Sequence, residues 1–171
     1  MFDPIHYGHL RTAHELHETL GLDQIAFVPA GDPPHRAAPL ADAATRLAMV
    51  RAAVEDDPRF VVDDRELRRP GPSWSVLTLE ELRAERGQQP IALIMGMDAF
   101  AGLDRWHHAA ELIGLAHLVI AVRPKSPVPG DGLAAALLRE HRCEDPAKLS
   151  QSAAGLVYVS RGTQLDLSSS A

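Results

Sequence analysis

Short apolar runs rich in β-branched residues alternate along this chain with segments of helical periodicity, and no other feature of the sequence constrains the fold as strongly. The runs have the length of buried strands, whereas the segments between them place apolar residues three or four positions apart. Such alternation is typical of βαβ units, in which the strands are parallel. We therefore predict an α/β fold, a doubly wound parallel sheet with helices on both faces, with strands at Gln24–Val28, Phe60–Val62, Ile91–Met95, His117–Val122 and Leu156–Val159.

Capping and turn residues mark where the helices are predicted to begin and end. Asp42 is a suitable N-cap for the second helix and Ser73 or Ser75 for the third, while Gly21 and Gly87 are suitable stops. The predicted helices are His9–Leu20, a segment from Asp42 that buries Leu47, Val50 and Val54, a segment up to Gly87 that buries Val76, Leu79 and Leu82, Ala109–Leu115 and Leu133–His141. Between the second strand and the third helix, Arg65–Pro72 is predicted to be a charged loop or edge segment.

Length and composition limit the classes of protein to consider. At 171 residues the chain has the size of one domain, and we assign residues 1–171 to a single domain. A formal net charge of -6 argues against bulk binding to nucleic acid or to an acidic membrane surface. No apolar run approaches the ~18 residues of a membrane span, and the N-terminus lacks the pattern of a signal peptide. The single cysteine, Cys143, excludes an intrachain disulfide and favours a reducing cytoplasm.

Polar clusters follow three of the predicted strands, at the point where each strand ends. They are Gly31–Arg36, Gly96–Asp98 and Arg123–Lys125. In open parallel sheets, ligands bind beyond the carboxyl ends of the strands. We therefore expect the three clusters to contribute to one site.

Two histidines and a glycine stand at the start of the first predicted helix, in the sequence His6-Tyr7-Gly8-His9. The N-terminus of a helix carries N–H groups without intrahelical partners and a partial positive charge, so it attracts phosphate. Imidazoles add donors that can stabilise charge moving between phosphate oxygens, and Gly8 allows the backbone to approach a ligand closely. The pattern favours transfer of a nucleotidyl group, although histidines that merely cap the helix are the simpler alternative.

Several segments extend this interpretation to a known family. FDPIHYGHL resembles the FDPxHxGH signature of the HxGH nucleotidyltransferases, which have a Rossmann-like fold. The wider resemblance is to the bacterial nicotinate-nucleotide adenylyltransferases, and it runs nearly from end to end. It is carried by FVPAGDPPHR, by Arg46 in ATRLAMV, by ELRRPGPSWSVLTLEELR, by IALIMGMDAFAGLDRWHHAAELIGLAHLVIAVRP and by LDLSSSA.

The resemblance implies a role for each matching residue at the nucleotide. His6 and His9 would be catalytic and would contact the ATP phosphates, while Phe2 and Asp3 would shape the loop beneath the nucleotide. Gly96 and Asp98 would lie at the adenosine ribose, with the carboxylate accepting from its hydroxyls. Further contacts to phosphates would come from Arg123 and Ser169 on the ATP side and from His35 and Arg36 at ATP or the mononucleotide.

The same resemblance implies a pocket for the nicotinate ring. Trp106 would stack on the ring, and backbone N–H groups near Ser75 and His107 would take its carboxylate. An aromatic face suits a cationic pyridinium. Donors aimed at a carboxylate would reject the amide, because they cannot all pair with a carboxamide.

The implied reaction is adenylyl transfer, in which the phosphate of nicotinate mononucleotide attacks the α-phosphate of ATP. Nicotinate adenine dinucleotide and pyrophosphate form, Mg²⁺ is carried with ATP, and no protein metal site is expected. Two alternatives stay open: transfer to another phosphate acceptor such as phosphopantetheine, and nucleotide binding without turnover. A homo-oligomer also stays open as a partner arrangement.

The two ends of the chain depart from the family pattern. The family usually has an apolar strand and Gly-Gly-Thr before FDP, and Ile-Arg and a final helix after the serines. We therefore expect an N-terminal strand and a C-terminal helix to be missing here, and weak or absent activity as a possible result of that loss.

Some of these residues also have simpler interpretations. Trp74 and Trp106 fit core or rim aromatics, Asp98 fits a helix cap, and His35 with Arg36 fits a solvated loop. His14 and His17 could join His6 and His9 in a metal cluster, but no cysteine or carboxylate stands at typical ligand spacing.

Overall fold

The structure is a computed structural model that describes residues 2–32, 40–122 and 126–160. These residues form two compact units, the first ending at Ser73 and the second beginning at Trp74. Each unit is α/β, and every strand pairing in the described residues is parallel. The predicted α/β class, with parallel sheets and helices on both sides, is thus confirmed.

The first unit is built around a two-stranded parallel sheet. Its strands pair with Ile25 opposite Phe60 and Phe27 opposite Val62. Its described elements are α1 (Tyr7–Leu20), β1 (Ile25–Phe27), α2 (Ala43–Val54), β2 (Phe60–Val62) and α3 (Arg65–Arg68).

Helix α1 begins at Tyr7, two residues before the predicted start, because His6 caps it. The apolar residues at helical spacing are Leu10, Ala13, Leu16 and Leu20, of which Ala13 and Leu16 are buried and the other two are half-buried. The helix ends at the predicted stop, where Gly21 adopts the left-handed conformation with φ 60°.

Helix α2 begins after Asp42, as predicted. The Asp42 carboxylate accepts the backbone N–H of Thr45 at 2.7 Å, and this hydrogen bond lowers the pKa of Asp42 below its usual value. Val50 and Val54 are buried as expected, but Leu47 is only half-buried. The third buried residue of the helix is Arg46, which lies on the same face as Val50 and Val54, four and eight positions before them.

The segment predicted as a charged loop contains one helical turn, α3. The Arg65 guanidinium lies 2.6 Å from the Asp63 carboxylate and is half-buried, so the ion pair fixes the start of the turn. The prediction of a loop or edge segment is wrong for Arg65–Arg68, because charge-rich composition does not reveal a turn held by local ion pairs.

The second unit is built around a four-stranded parallel sheet. Its strands are β3 (Ala92–Gly96), β4 (His117–Ala121), β5 (Arg142–Cys143) and β6 (Val157–Ser160), in the spatial order β3-β4-β6-β5. Its described helices are α4 (Ser75–Arg86), α5 (Met97–Ala101), α6 (Leu112–Leu115) and α7 (Gly132–His141), with 3₁₀ turns at Leu103–Arg105, Ala109–Glu111 and Pro146–Ser150.

The core of the second unit lies against strand β4. Leu118, Val119 and Ile120 on that strand have no exposed surface, which is typical of a parallel strand covered on both faces. The helices contribute the other large members, Val76, Leu79, Phe100, Leu112 and Leu137. Leu82, predicted to be buried, is half-buried at the margin of this core.

A buried histidine ties strand β4 to the chain before β6. His117 is 1% exposed, its Nε2 lies 2.9 Å from the Ser152 carbonyl oxygen, and its Nδ1 accepts the N–H of Leu156 at 3.1 Å. Both ring nitrogens are thereby paired with backbone groups, so His117 is part of the scaffold.

Two short elements of the second unit also differ from the sequence predictions. The helix predicted over Ala109–Leu115 begins as a 3₁₀ turn and becomes α-helical only at Leu112. Strand β5 was not predicted, because two residues are too few to show a period. None of the helices in the described part of the chain combines the length and apolar character needed to cross a membrane.

Candidate active site

The two histidines of the HYGH sequence cap helix α1 reciprocally. Nδ1 of His6 accepts the backbone N–H of Gly8 at 3.1 Å, and Nδ1 of His9 accepts the backbone N–H of His6 at 3.2 Å. The arrangement is a capping box in which imidazoles replace the usual Ser or Thr and Glu. The ring centroids lie 3.8 Å apart at an interplanar angle of 32°, so the two imidazole rings are in contact with each other.

The caps determine the tautomer of both neutral rings. A ring nitrogen that accepts a hydrogen bond carries no proton, so the proton of each neutral imidazole is on Nε2. Both rings therefore carry an N–H donor on the nitrogen opposite the cap. Helix capping, posed above as the alternative to phosphate recognition, takes place at Nδ1 of both rings.

An aromatic row supports the second histidine. The Phe2 ring meets His9 edge to face at 5.1 Å between centroids, and it also lies 5.6 Å from Phe27 on β1. Phe27 in turn contacts Phe60 of β2 at 5.4 Å. Phe2 thus connects the histidine pair to the small sheet.

Asp3 fixes the backbone that enters helix α2. Its two carboxylate oxygens accept the N–H groups of Leu40 at 2.8 Å and of Ala41 at 3.2 Å. These contacts hold the backbone just before α2, while the role of Asp3 beneath a nucleotide stays a prediction.

Arg46 holds backbone on both sides of residues 33–39. It is 1% exposed, and its guanidinium donates to the carbonyl oxygens of Ala30 at 2.6 Å, Gly31 at 3.2 Å and Ala41 at 3.2 Å. Sequence reasoning noted a basic residue here but assigned it no site role. A charged residue on the otherwise apolar face of a predicted helix was the available signal.

Gly31, the first residue of the predicted Gly31–Arg36 cluster, lies where backbone segments approach closely. Its N–H donates to Ser73 Oγ at 2.8 Å, and a Cβ at this position would collide with the Glu66 carbonyl oxygen. Ser73 therefore binds this loop, and the prediction that it caps α4 is wrong. The N-cap residue of α4 is Trp74.

Strand ends in the second unit converge as the topology requires. Gly96 of β3 is opposite Ala121 of β4, and Ala121 is opposite Ser160 of β6, so three carboxyl ends share one edge of the sheet. A Cβ at Gly96 would meet nothing within 4 Å, and Asp98 is exposed in the first turn of α5. Gly96 occupies the N-cap position, so the helix-cap interpretation of Asp98 is wrong.

The predicted ring-binding residues come from two separate segments of the second unit. Ser75 is the first residue of α4. Trp106 follows the 3₁₀ turn at Leu103–Arg105, and its backbone N–H donates to the Leu103 carbonyl oxygen at 2.8 Å. Its side chain is half-buried and packs against the core. The Trp74 ring, next to Ser75, stacks on His107, with centroids 4.7 Å apart and an interplanar angle of 27°.

Four predicted site residues fall in other parts of the chain. His35, Arg36, Arg123 and Ser169 lie outside the described residues. Within residues 2–32, 40–122 and 126–160, no three His, Cys, Asp or Glu side chains are grouped so that they could hold a metal ion. His14, weighed as a metal ligand, lies 3.5 Å from Glu18 in an i,i+4 pair.

Comparison with known sequences gives a consistent result. The chain matches a family model described as cytidylyltransferase-like over residues 1–170. A probable nicotinate-nucleotide adenylyltransferase of Acidithiobacillus ferrooxidans is 45% identical over 171 residues, which are 99% of this chain and 78% of that protein. The protein of the same description from Methylococcus capsulatus is 43% identical over 169 residues, covering 98% of this chain and 80% of its own length.

Comparison with solved structures supports the fold. The nicotinic acid mononucleotide adenylyltransferase of Plasmodium falciparum, complexed with NaAD, superposes with a TM-score of 0.65 at 14% sequence identity. The match covers 98% of this chain and 73% of that one. At this identity the likeness concerns the fold alone.

Proposed function

Since the chain belongs to the cytidylyltransferase-like family and, within it, to the nicotinate-nucleotide adenylyltransferases, we propose that it transfers the adenylyl group of ATP to nicotinate mononucleotide. The products are nicotinate adenine dinucleotide, the deamido form of NAD, and pyrophosphate. The structural observation that carries the proposal is the reciprocal cap of His6 and His9 through Nδ1, which assigns the proton of each neutral ring to Nε2.

The reaction is an in-line displacement at phosphorus. A phosphate oxygen of the mononucleotide forms a bond to the α-phosphorus of ATP, while the bond from that phosphorus to the bridging oxygen of the β-phosphate breaks. Negative charge moves toward the leaving pyrophosphate. His6 and His9 donate hydrogen bonds to the oxygens where charge develops, and neither residue forms a covalent intermediate.

The adenosine end of ATP is assigned to the edge of the second sheet. Gly96 offers open space, so the backbone of β3 can be approached closely. The exposed Asp98 carboxylate accepts hydrogen bonds from the ribose hydroxyls.

The mononucleotide is assigned to the segments around α4 and Trp106. The half-buried indole of Trp106 stacks on the pyridinium, which is a favourable cation–π arrangement. Backbone N–H groups near Ser75 and His107 bind the carboxylate. By the same motif correspondence, His35, Arg36, Arg123 and Ser169 contact phosphates.

The cofactor we propose is Mg²⁺, carried with the nucleotide. The described residues at the HYGH turn present imidazole N–H donors, which suit phosphate oxygens and not a hard cation. Phosphate oxygens would hold the ion, and few protein carboxylates would be required. When bound, it neutralises part of the triphosphate charge.

We further propose that residues 1–171 act as a single nucleotidyltransferase domain, since the family model matches them continuously from residue 1 to residue 170. The proposed setting is NAD biosynthesis in the cytoplasm. The partners are ATP and the mononucleotide, without nucleic acid or membrane, and with a homo-oligomer left open.

The experiment that tests this function measures pyrophosphate release from ATP with each of three acceptors: nicotinate mononucleotide, nicotinamide mononucleotide and phosphopantetheine. Chromatography then identifies the dinucleotide product. We expect release with nicotinate mononucleotide, and its loss in the His9→Ala variant. Release only with phosphopantetheine would reassign the acceptor, and ATP binding without release with all three would make the chain a nucleotide-binding module.

A further inference from the structure

A stacked pair of rings joins the two segments that carry the proposed carboxylate donors. Trp74 is the N-cap residue of α4 and immediately precedes Ser75, whereas His107 immediately follows Trp106. Their rings lie 4.7 Å apart at 27°, a nearly parallel stack. One contact between side chains therefore links the backbone at the start of α4 to the backbone after the 3₁₀ turn.

The second ring of the stack also contacts its neighbour in the chain. The His108 ring lies 4.1 Å from that of His107 at an angle of 59°, and His108 Nδ1 is 2.6 Å from Glu111 Oε1. The backbone of His108 has φ 50° and ψ 38°, a left-handed conformation that a residue with a side chain rarely adopts. Backbone strain of this kind persists where the surroundings fix it, and it concentrates at binding sites.

The stack lies at the solvent margin of the core and not inside it. Trp74 is half-buried and contacts the core cluster, while His107 and His108 are exposed. An exposed imidazole adds little to the burial of apolar surface, so packing alone does not account for the arrangement. Its geometric effect is to fix the distance between two backbone segments.

That distance matters for the choice between acid and amide. A carboxylate accepts hydrogen bonds on both oxygens, whereas a carboxamide presents an NH₂ group that meets one of the two donors. The unfavourable contact between this NH₂ group and the donor lowers the affinity for the amide to its full extent only if the two donors cannot move apart. Fixed donors therefore exclude the amide better than mobile ones.

We propose that the Trp74–His107 stack is a positioning and specificity element that holds the backbone donors near Ser75 and His107 at the spacing of a pyridine carboxylate. The inference rests on the proposed function. The family resemblance assigns this role to neither residue. Trp74 contacts the ring of His107, and that ring positions the backbone N–H group of His107 itself.

The test replaces the stacking rings and measures selectivity. For wild type, Trp74→Leu, Trp74→Tyr, His107→Leu and His107→Phe, kcat and KM are determined for nicotinate mononucleotide and for nicotinamide mononucleotide at saturating ATP. We expect Trp74→Leu and His107→Leu each to lower the acid-to-amide ratio of kcat/KM roughly 10-fold, mainly through KM for the acid. Trp74→Tyr and His107→Phe keep a stacking ring and should show the same acid-to-amide ratio of kcat/KM as wild type.

Two controls separate positioning from general damage. Leu77→Val, in the same helix and packed against the same core, should lower the thermal midpoint without changing the ratio. The double variant with leucine at both positions should change the ratio no more than either single variant, because both remove one contact. Should Trp74→Leu fail to fold, the exposed His107 side chain still provides the test.

An unchanged ratio in folded His107→Leu would overturn the inference, and so would additive losses in the double variant. Failure of the proposed function has a different signature, since wild type would then release no pyrophosphate with either mononucleotide.

Discussion

His9 accepts the backbone N–H of His6 at 3.2 Å, and His6 accepts that of Gly8 at 3.1 Å, so each histidine is bound through Nδ1 at the start of α1. The same two rings hold the helix start and present the Nε2–H donors of the proposed reaction. Capping and catalysis can therefore be separated by substitution.

Removing the His9 ring tests the catalytic donor. We expect His9→Ala to lower kcat at least ~100-fold, the scale for losing one preorganised donor at a developing charge. The variant also loses a cap, worth about 1 kcal/mol of unfolding free energy. His9→Glu restores a capping acceptor but places an anion near the phosphates, so its stability should match wild type while turnover stays low. Near-normal turnover in His9→Ala would refute the role.

Asp98 gives a prediction at the ribose. Asp98→Ala should raise KM for ATP about 10-fold or more, the expected cost of removing a charged hydrogen-bond acceptor, and leave KM for the mononucleotide unchanged. Initial-rate kinetics with each substrate varied in turn measure both constants. Glu140→Ala removes another exposed carboxylate of the same unit, in α7, and should change neither. An unchanged KM for ATP in Asp98→Ala would place the ribose elsewhere.

Arg46 gives a prediction of stability. Arg46→Met keeps much of the side-chain volume but leaves the carbonyl oxygens of Ala30, Gly31 and Ala41 without this donor. We expect a loss of about 2–4 kcal/mol of unfolding free energy, measured by urea denaturation. Arg51→Met on the same helix removes a largely exposed guanidinium paired with Asp64, and should cost less than about 1 kcal/mol. Equal losses of unfolding free energy in the two variants would contradict the role of Arg46 in holding these carbonyl groups.

Asp57 gives a prediction of pH dependence. The hydrogen bond from the Arg59 side chain lowers the pKa of Asp57 to about 2 from its usual 3.8. A lowered native pKa stabilises the fold above the unfolded pKa, and this contribution disappears as the pH falls from about 4 to about 2. The urea midpoint of wild type should therefore exceed that of Asp57→Asn at pH 6, and the two should converge at acid pH. Asp56→Asn, at the adjacent exposed position, controls for net charge; a constant gap across the range would be evidence against the ion pair.

The sequence predicted what local signals determine. The end of α1 at Gly21 was predictable because it depends on the backbone of one glycine. The cap of α2 was predictable because Asp42 accepts an N–H group only three residues along the chain, that of Thr45. Apart from the two-residue β5, the strands of the parallel sheets were predicted for the same reason, since their apolar runs are continuous in the chain.

Contacts between distant segments could not be predicted in this way. Ser73 looked like a helix cap, yet its hydroxyl binds the backbone of Gly31 and Asp32. The burial of Arg46 depends on backbone carbonyls from two other segments, and the stack of Trp74 on His107 depends on the folded path between them. Capping by the two histidines was considered from the sequence, but its reciprocal form was not, because histidine is not among the usual residues of a capping box.

The paired caps also govern how α1 responds to acid. A proton added to Nδ1 of either histidine turns its acceptor into a donor, which then faces the N–H group it had been holding. A proton at either of these nitrogens therefore removes one cap hydrogen bond from the start of α1. For each ring, a positive charge and a cap through Nδ1 exclude each other.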